Sequence, residues 1–521
     1  MTRSRFREIA LLLLSAILLV LPFHFGAFGF LAFFALVPAF FCLRDKTSSQ
    51  AFKRFFFFGV VYYALLGYWL NYVNVIGFLL LVLYLAVYFA FFGMYARPFL
   101  VSSKLRGALF IASAWVLLEY IRTFLFSGFP WALLAYSQWK NTWVIQMADL
   151  TGAYGVSFFV LWVNVLVYQC VRAVLDRQPF SRPVVLTRQI LSLSLVFLAV
   201  IGYGLIQLKS REANYLKDRP KAELAISILQ GNIPQDQKWD TRIKGIIFEK
   251  YKRLTLMSAM EKADLVVWPE TSFPGYLEDE PLMGAQLRTL VRRARTSVMV
   301  GAPTIGDMEK DLRFYNSAIL YGSNGEEVKR YHKAHLVPFG EYIPFEALIG
   351  FIRNFVSIGH FSAGEEPTLF PILSQYRPIR IAAKFTTLIC YEDIFPELVR
   401  ERCHAGANFL VNMSNDAWFG KTTAPYQHAQ ASVFRAVENR VPVVRATNTG
   451  YSCFISAEGR VFSSVKTNGE EIMVSGLKTD TIVLNKEPHS FYTRFGDILF
   501  FGIMVLLWMA HREKQSGYSR I

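Results

Sequence analysis

Charge is what this sequence has least of for its size. Only 18% of its 521 residues are Asp, Glu, Lys or Arg, against 53% hydrophobic and 16% aromatic, and mean hydropathy is +0.31. That balance excludes a disordered, collagen-like or simple secreted protein. Cysteine is scarce as well: Cys42, Cys170, Cys390, Cys403 and Cys453 form no C-x-x-C pair, which excludes a zinc knuckle and a disulfide-stapled miniprotein. Neither a G-x-S-x-G elbow nor a glycine-rich phosphate loop occurs, so serine-hydrolase and nucleotide-cradle readings lack their signals. Acidic residues are scarce in one half only. Residues 1–211 hold 18 Lys and Arg against 5 Asp and Glu, a net +13, whereas residues 212–521 hold 37 against 34, a net +3. The basic excess lies between apolar runs, a pattern of membrane topology rather than of nucleic-acid binding.

Apolar runs extend over Ile9–Pro22, Phe25–Leu43, Phe55–Tyr72, Val75–Tyr95, Ala108–Phe126, Gly155–Val174, Ile190–Leu208 and Ile498–Ala510. A bilayer core takes about 20 apolar residues per helix, so these runs predict eight spans, seven before residue 212 and one near the end. The N-terminus (Arg3, Arg5, Arg7), the connections Arg44–Arg54, Arg97–Arg106 and Arg172–Arg188, and the tail (Arg512, Lys514, Arg520) are basic, while the alternate connections are nearly free of Lys and Arg. The positive-inside rule then puts both termini in the cytoplasm and residues 212–490 outside, in the periplasm of a bacterial inner membrane. The Trp and Tyr residues of Trp131–Tyr154 read either as an interfacial belt or as helix packing. Glu119 and Arg122, three residues apart in the fifth span, read as a pair on one helix face or as a site for lipid access.

From Ala222 the pattern changes to short β-branched runs between polar helical stretches. Strands are predicted over Ala225–Leu229, Leu265–Trp268, Val298–Gly301, Ser317–Tyr321, Ile381–Cys390, Phe409–Val411, Val443–Ala446, Ser452–Ser456 and Thr481–Leu484. Helices are predicted over Ile243–Lys262, Gly284–Thr296 and Gln427–Arg440. Ser323-Asn324-Gly325 and Ala457-Glu458-Gly459 are turn signals. This is a layered α/β or α+β domain with a substantial core.

Three patches at strand ends carry chemistry. Leu265–Trp268 stops at Pro269 and presents Glu270, a candidate general base. The loop from Tyr331 to Tyr342 offers Lys333, which suits a developing oxyanion, and Glu341. His332 and His335 lack a third ligand at metal-site spacing. Thr387–Ile389 delivers Cys390 to a polar turn, where a base-activated thiol attacks an acyl carbon and the following N–H helps hold the oxyanion. Taken singly, each patch has an ordinary structural reading: a solvated glutamate, or a small core cysteine. Together they supply base, cation and nucleophile for acyl transfer without histidine.

These patches, with Asn412–Gly420 and Arg445–Gly450, resemble the carbon–nitrogen hydrolase (nitrilase) superfamily. With seven spans before and one after, the chain is similar to its membrane-bound branch, the apolipoprotein N-acyltransferases. That resemblance implies an eight-span α-helical membrane domain plus an extracytoplasmic α-β-β-α sandwich of nitrilase type. It implies domains at 1–211, 212–490 and 491–521. It assigns Glu270 as base, Lys333 as cation and Cys390 as acyl-carrying nucleophile, with Glu341, Tyr391 and Glu392 in support. Trp239 and Trp418 match aromatic positions that touch substrate in this branch; packing or interface anchoring stays open for both. The implied reaction passes an acyl chain from a phospholipid, such as phosphatidylethanolamine, to the α-amino group of a diacylglyceryl-cysteine on an apolipoprotein. It needs no metal, nucleotide or other cofactor. Two rivals remain: a membrane-tethered amide or nitrile hydrolase that uses water as acceptor, and a transport or scaffold protein with a degenerate enzyme domain. The second would have lost one of Glu270, Lys333 and Cys390.

Overall fold

A computed structural model describes residues 3–100, 105–175, 182–218, 223–306, 312–344, 346, 350, 359–365, 367–376, 380–484, 490–498, 500–502, 504, 505 and 508. The chain divides into two units, Met1–Ser210 with Arg494–Ile521, and Arg211–Thr493. Most of Phe345–Phe361, including Arg353, lies outside the described residues, as do parts of the 97–106 and 172–188 connections, about half of Ile498–Ala510, and the basic tail.

Unbroken apolar sequence makes the first unit helical. Among the described residues, five helices are long and apolar enough to cross a membrane: Arg5–His24, Val75–Leu100, Leu105–Phe124, Ala148–Leu175 and Leu186–Ala213. Ile76, Leu80, Leu198 and Ile206 stand exposed on them, a surface that suits hydrocarbon and not water. Ser48–Leu66 is a further helix. It opens in a capping box, in which Thr47 Oγ1 accepts from the Gln50 N–H at 3.3 Å and Gln50 Oε1 accepts from the Thr47 N–H at 3.1 Å. It closes at Gly67, short of the expected Tyr72.

The run Phe25–Leu43, expected as one span, is instead a 3-10 helix Gly26–Phe33 followed by a five-residue helix Val37–Phe41. Its freed backbone groups find polar side chains from elsewhere in the unit. Asn164 accepts from the Leu36 N–H at 2.9 Å and donates to the Ala32 carbonyl at 2.7 Å, Ser15 Oγ accepts from the Ala39 N–H, and Gln138 donates to the Gly29 carbonyl. Irregular backbone at membrane depth persists only where protein satisfies it in this way. Glu119 likewise accepts from the Leu134 N–H at 2.7 Å, while Arg122 donates to Tyr63 Oη at 2.8 Å. Trp131, Tyr136, Trp139 and Tyr154 are buried, so these rings pack the interior and do not form an interfacial belt.

The second unit is two six-stranded sheets. The first contains β1 (Glu223–Gln230), β2 (Leu265–Val267), β3 (Ser297–Ile305), β4 (Phe314–Tyr321), β5 (Glu327–His332) and β12 (Gly476–Val483), in the order β12-β1-β2-β3-β4-β5. The second contains β6 (Leu369–Leu373), β7 (Ala382–Ile389), β8 (Phe409–Ser414), β9 (Val443–Thr447), β10 (Cys453–Ile455) and β11 (Val461–Ser464), in the order β11-β10-β9-β8-β7-β6. The middle strands β1-β2-β3 and β7-β8-β9 run parallel, and the outer pairs are antiparallel. Strand alternation sends one set of side chains between the sheets, where Ile226, Val267, Met299, Phe385, Phe409 and Val444 share a core. The other set of the first sheet, with Val266, Trp268 and Val298, meets helices Lys244–Met260 and Pro281–Ala294 through Phe248, Leu254 and Leu287. Helices Pro396–His404 and Ala424–Asn439 pack on the second sheet. The result is an α-β-β-α sandwich whose central strands are largely buried on both faces.

Candidate active site

Each sequence-singled residue of the trio sits where a strand ends. Glu270 follows β2 on a turn that Gly301 of β3 makes room for: a Cβ there would lie 2.2 Å from the Pro269 carbonyl oxygen and 2.9 Å from Glu270 Cα. The next residue, Thr271, has φ +43°, a strained value for a β-branched side chain. Lys333 follows β5 directly, and its N–H bonds the carbonyl of Asn316 in β4 at 2.8 Å. Cys390 follows β7 with φ +55°, which turns the chain at once into a short 3-10 helix, Cys390–Ile394. Asn412 of β8 donates to the Cys390 carbonyl at 2.8 Å and holds that turn.

These ends converge. Lys333 Nζ lies 3.5 Å from Glu270 Oε1 and 2.9 Å from Glu341 Oε2, with the ammonium only 1% exposed. Asn316 Nδ2 bridges the two carboxylates, at 2.7 Å from Glu270 and 2.9 Å from Glu341. Burial alone would lower the Lys333 pKa, but Glu341, Glu270 and Cys390 outweigh it and hold the group firmly cationic. Burial pushes the Cys390 thiol well above its ordinary value, Glu270 adds to this, and Lys333 partly opposes it. The resting Cys390 side chain is therefore a neutral thiol, and a thiol in that state reacts only once a base removes its proton.

Glu341 and Glu392 play a different part from Glu270. Glu341 Oε2 accepts from the Val337 N–H at 2.8 Å, so it shapes its own loop while pairing with Lys333. Glu392 is fully buried: Oε1 accepts from Tyr331 Oη and from the N–H groups of Ala334 and His335, and Oε2 accepts from the Ile389 N–H. One carboxylate thus ties the Lys333 loop to the cysteine turn. Tyr391 bonds the Leu336 carbonyl at 3.0 Å and packs against His335 and Phe395. Trp239 and Trp418 are 47% and 51% exposed, so neither is a packed core residue. Asn415 Nδ2 bonds Gln235 Oε1 at 2.8 Å and brings the turns that carry the two tryptophans together. Gly364 lies against the His332 carbonyl, 2.3 Å from where a Cβ would stand, and its N–H bonds the Lys333 carbonyl. It is a close-approach position.

Beneath the cysteine turn lies a buried ionic cluster. His428 bonds Asp393 at 3.0 Å and Asp416 at 3.1 Å; Arg445 and Ser432 hold the second Asp393 oxygen, and Ser414 bonds Asp416. Burial alone would lower the His428 pKa, but Asp393 and Asp416 reverse the shift and raise it to about 9. His332 sits against Tyr315 and bonds Ser317, with its pKa lowered to about 4, chiefly by burial. Among the described residues no group of three or more His, Cys, Asp or Glu could hold a metal ion. Sequence reading missed Asn316, a lone amide ahead of the apolar run of β4, and Lys238, next to the Trp239 it did single out.

Two sheets and an acid–lysine–cysteine constellation at their strand ends define a class of cysteine-dependent enzymes acting at acyl carbons. The carbon–nitrogen hydrolase family pattern matches residues 206–484, and that of the apolipoprotein N-acyltransferase N-terminal domain matches residues 15–166. An apolipoprotein N-acyltransferase of Geobacter metallireducens is 35% identical over 98% of this chain and 96% of its own length. One from Pasteurella multocida is 29% identical over 93% and 91%, and one from Brucella suis 33% identical over 76% and 71%. The amidase of Nesterenkonia sp. AN1, solved with acrylamide added at its active-site cysteine, covers 54% of this chain and 99% of its own at 18% identity and TM-score 0.38. The chain belongs to the apolipoprotein N-acyltransferase family, within the carbon–nitrogen hydrolases.

Proposed function

We propose that this chain moves an acyl chain from a membrane phospholipid, phosphatidylethanolamine in the first instance, onto Cys390 and then onto the α-amino group of a diacylglyceryl-cysteine at an apolipoprotein N-terminus. The observation that carries this reading is the buried meeting of Glu270, Lys333 and Glu341 with a neutral Cys390 thiol, in a chain of this family. Glu270 takes the thiol proton and Sγ attacks the ester carbonyl. The oxyanion is held by the Lys333 ammonium and the Tyr391 N–H. As the C–O bond breaks, Glu270 returns its proton to the departing lysophospholipid alcohol, leaving a thioester. The neutral amine then attacks, Glu270 takes a proton from the adduct, the C–S bond breaks, and the cysteine sulfur is reprotonated as the amide leaves. The amine is a better nucleophile towards a thioester than water is, and a site shielded from water favours transfer over hydrolysis.

Both substrates live in a bilayer, so helical anchorage raises their effective concentration at the site. In this reading residues 1–211 form seven spans, 212–490 a periplasmic catalytic domain, and 491–521 the eighth span with a cytoplasmic tail, in a bacterial inner membrane. Trp239 and Trp418 stand at the rim facing lipid substrates, and Glu392 keeps the lysine and cysteine loops in register.

The test is intact mass of detergent-purified protein after incubation with phosphatidylethanolamine, alongside Cys390→Ala. The expected result is a gain of one acyl chain that requires Cys390, is released by hydroxylamine and disappears on adding a diacylated lipopeptide. An acyl gain retained in Cys390→Ala would remove the nucleophile from its role.

A further inference from the structure

The mechanism above leaves Lys238, a buried cation beside Glu270, without a part. Lys238 is 5% exposed, and its ammonium donates to the main-chain carbonyl of Glu270 at 3.1 Å. We propose that Lys238 is a positioning residue for the base: by gripping the Glu270 carbonyl it holds the strained Glu270–Thr271 turn in the one geometry that aims the carboxylate at Cys390.

Burying an ammonium is expensive, and a methionine of similar length would fill the same space without that cost. What methionine cannot do is bond a carbonyl. The turn needs such a bond because Thr271, at φ +43°, keeps its conformation only if its surroundings impose it. On one side it rests on Gly301, whose carbonyl accepts from the Phe273 N–H at 3.0 Å and from Ser272 Oγ at 3.2 Å. On its other side, Lys238, Thr271, Ser272 and Tyr251 line a cavity of only about 10 Å³. The segment bearing Lys238 is itself fixed, since Asn448 bonds Ile233 through both its amide oxygen (2.9 Å) and its amide nitrogen (2.7 Å). A rigid anchor, an ammonium and a strained carbonyl thus form one clamp. Burial also lowers the Lys238 pKa to about 8, with Glu270 and Cys390 opposing, so the clamp weakens as pH rises through that value. Tyr251, the other titratable group in the cavity, is pushed up by burial and stays neutral there.

This inference rests on Glu270 being the base. The test measures the single-turnover rate of Cys390 acylation from phosphatidylethanolamine across pH, with the thermal midpoint, for full-length wild type, Lys238→Met and Lys238→Arg in detergent. Lys238→Met is expected to slow acylation roughly ten- to a hundredfold, with little change in half-saturating lipid concentration. Lys238→Arg restores most of the rate and moves the alkaline decline upward from about pH 8. A wild-type rate in Lys238→Met overturns the proposal, as does a loss that only tracks lost folded protein. If Lys238→Met does not fold, Lys238→Arg decides: an alkaline decline unmoved from wild type overturns it. Failure of wild type to acylate at all would overturn the acyl-transfer reading instead.

Discussion

The two units of this chain bury polar groups for opposite reasons. In the helical unit Asn164, Ser15, Gln138 and Glu119 each meet a main-chain group that a broken or irregular segment has left without a helical partner. Their work is structural, because a hydrocarbon surrounding offers such groups no water. In the sandwich the buried Glu270, Lys333 and Asn316 answer mainly to one another, at the edge of an apolar core shared by the two sheets. There the backbone is already paired in sheets, and the polar side chains are free to be reactive. Burial of a charge is therefore not by itself a sign of chemistry; what the charge is bonded to decides.

Substitutions on each side sharpen that contrast. The largest effect falls in the sandwich. Glu270→Gln and Lys333→Met should each cut the acylation rate by about 10²–10⁴-fold while the thermal midpoint holds within a few degrees, and wild-type rates in either would erase the distinction. Next, Asn164→Leu strips partners from the Leu36 N–H and the Ala32 carbonyl. Each buried orphan costs about 1–3 kcal/mol, so thermal stability in detergent should drop with an unchanged acylation rate per folded molecule. An unaltered midpoint would mean those backbone groups find other partners.

The smallest effect is the pH response of the cluster under Cys390. Protonated His428, raised to about 9 by Asp393 and Asp416 against the burial that would lower it, contributes stability that is complete below 6.5 and fades as pH rises through about 9. At about 1.4 kcal/mol per pKa unit this is at most about 3 kcal/mol. The thermal midpoint should decline across that window in wild type and much less in His428→Gln. Equal slopes would take His428 out of the account. Asp393 and Asp416, held below their usual range by His428 and Arg445 despite burial, act at the other end, and their contribution is lost only as pH falls through the acid range.

What is legible in the sequence alone follows from where a residue's signal is local. The inner strands β1 to β4 and β7 to β10 announce themselves as apolar runs because both their faces are buried. The strands not foreseen, β5, β6 and β11, all lie at sheet edges. β5 reads Glu-Val-Lys-Arg-Tyr-His and is mostly exposed, and β6 carries Pro371. Edge strands tolerate charge and proline because one side of their backbone is unpaired, and that tolerance erases the hydropathy signal. The β4–β5 turn was visible in Ser323-Asn324-Gly325 even though β5 was not. In the helical unit the reverse error occurs: Phe25–Leu43 is apolar throughout, yet its fold is set by Asn164 and Gln138, more than a hundred residues downstream.

By itself the sequence determined the two-part organisation, most of the long apolar helices, the inner strands, and the presence of Glu270, Lys333 and Cys390 at strand ends, since each depends on short-range composition. Only the tertiary structure decided which polar groups meet. Asn316 bridging two carboxylates, Glu392 joining the lysine and cysteine loops, and Lys238 on the Glu270 carbonyl all join residues 25 to 61 positions apart. Contacts of that kind exist only once two sheets have closed on a shared core and brought the ends of β2, β5 and β7 into one small volume.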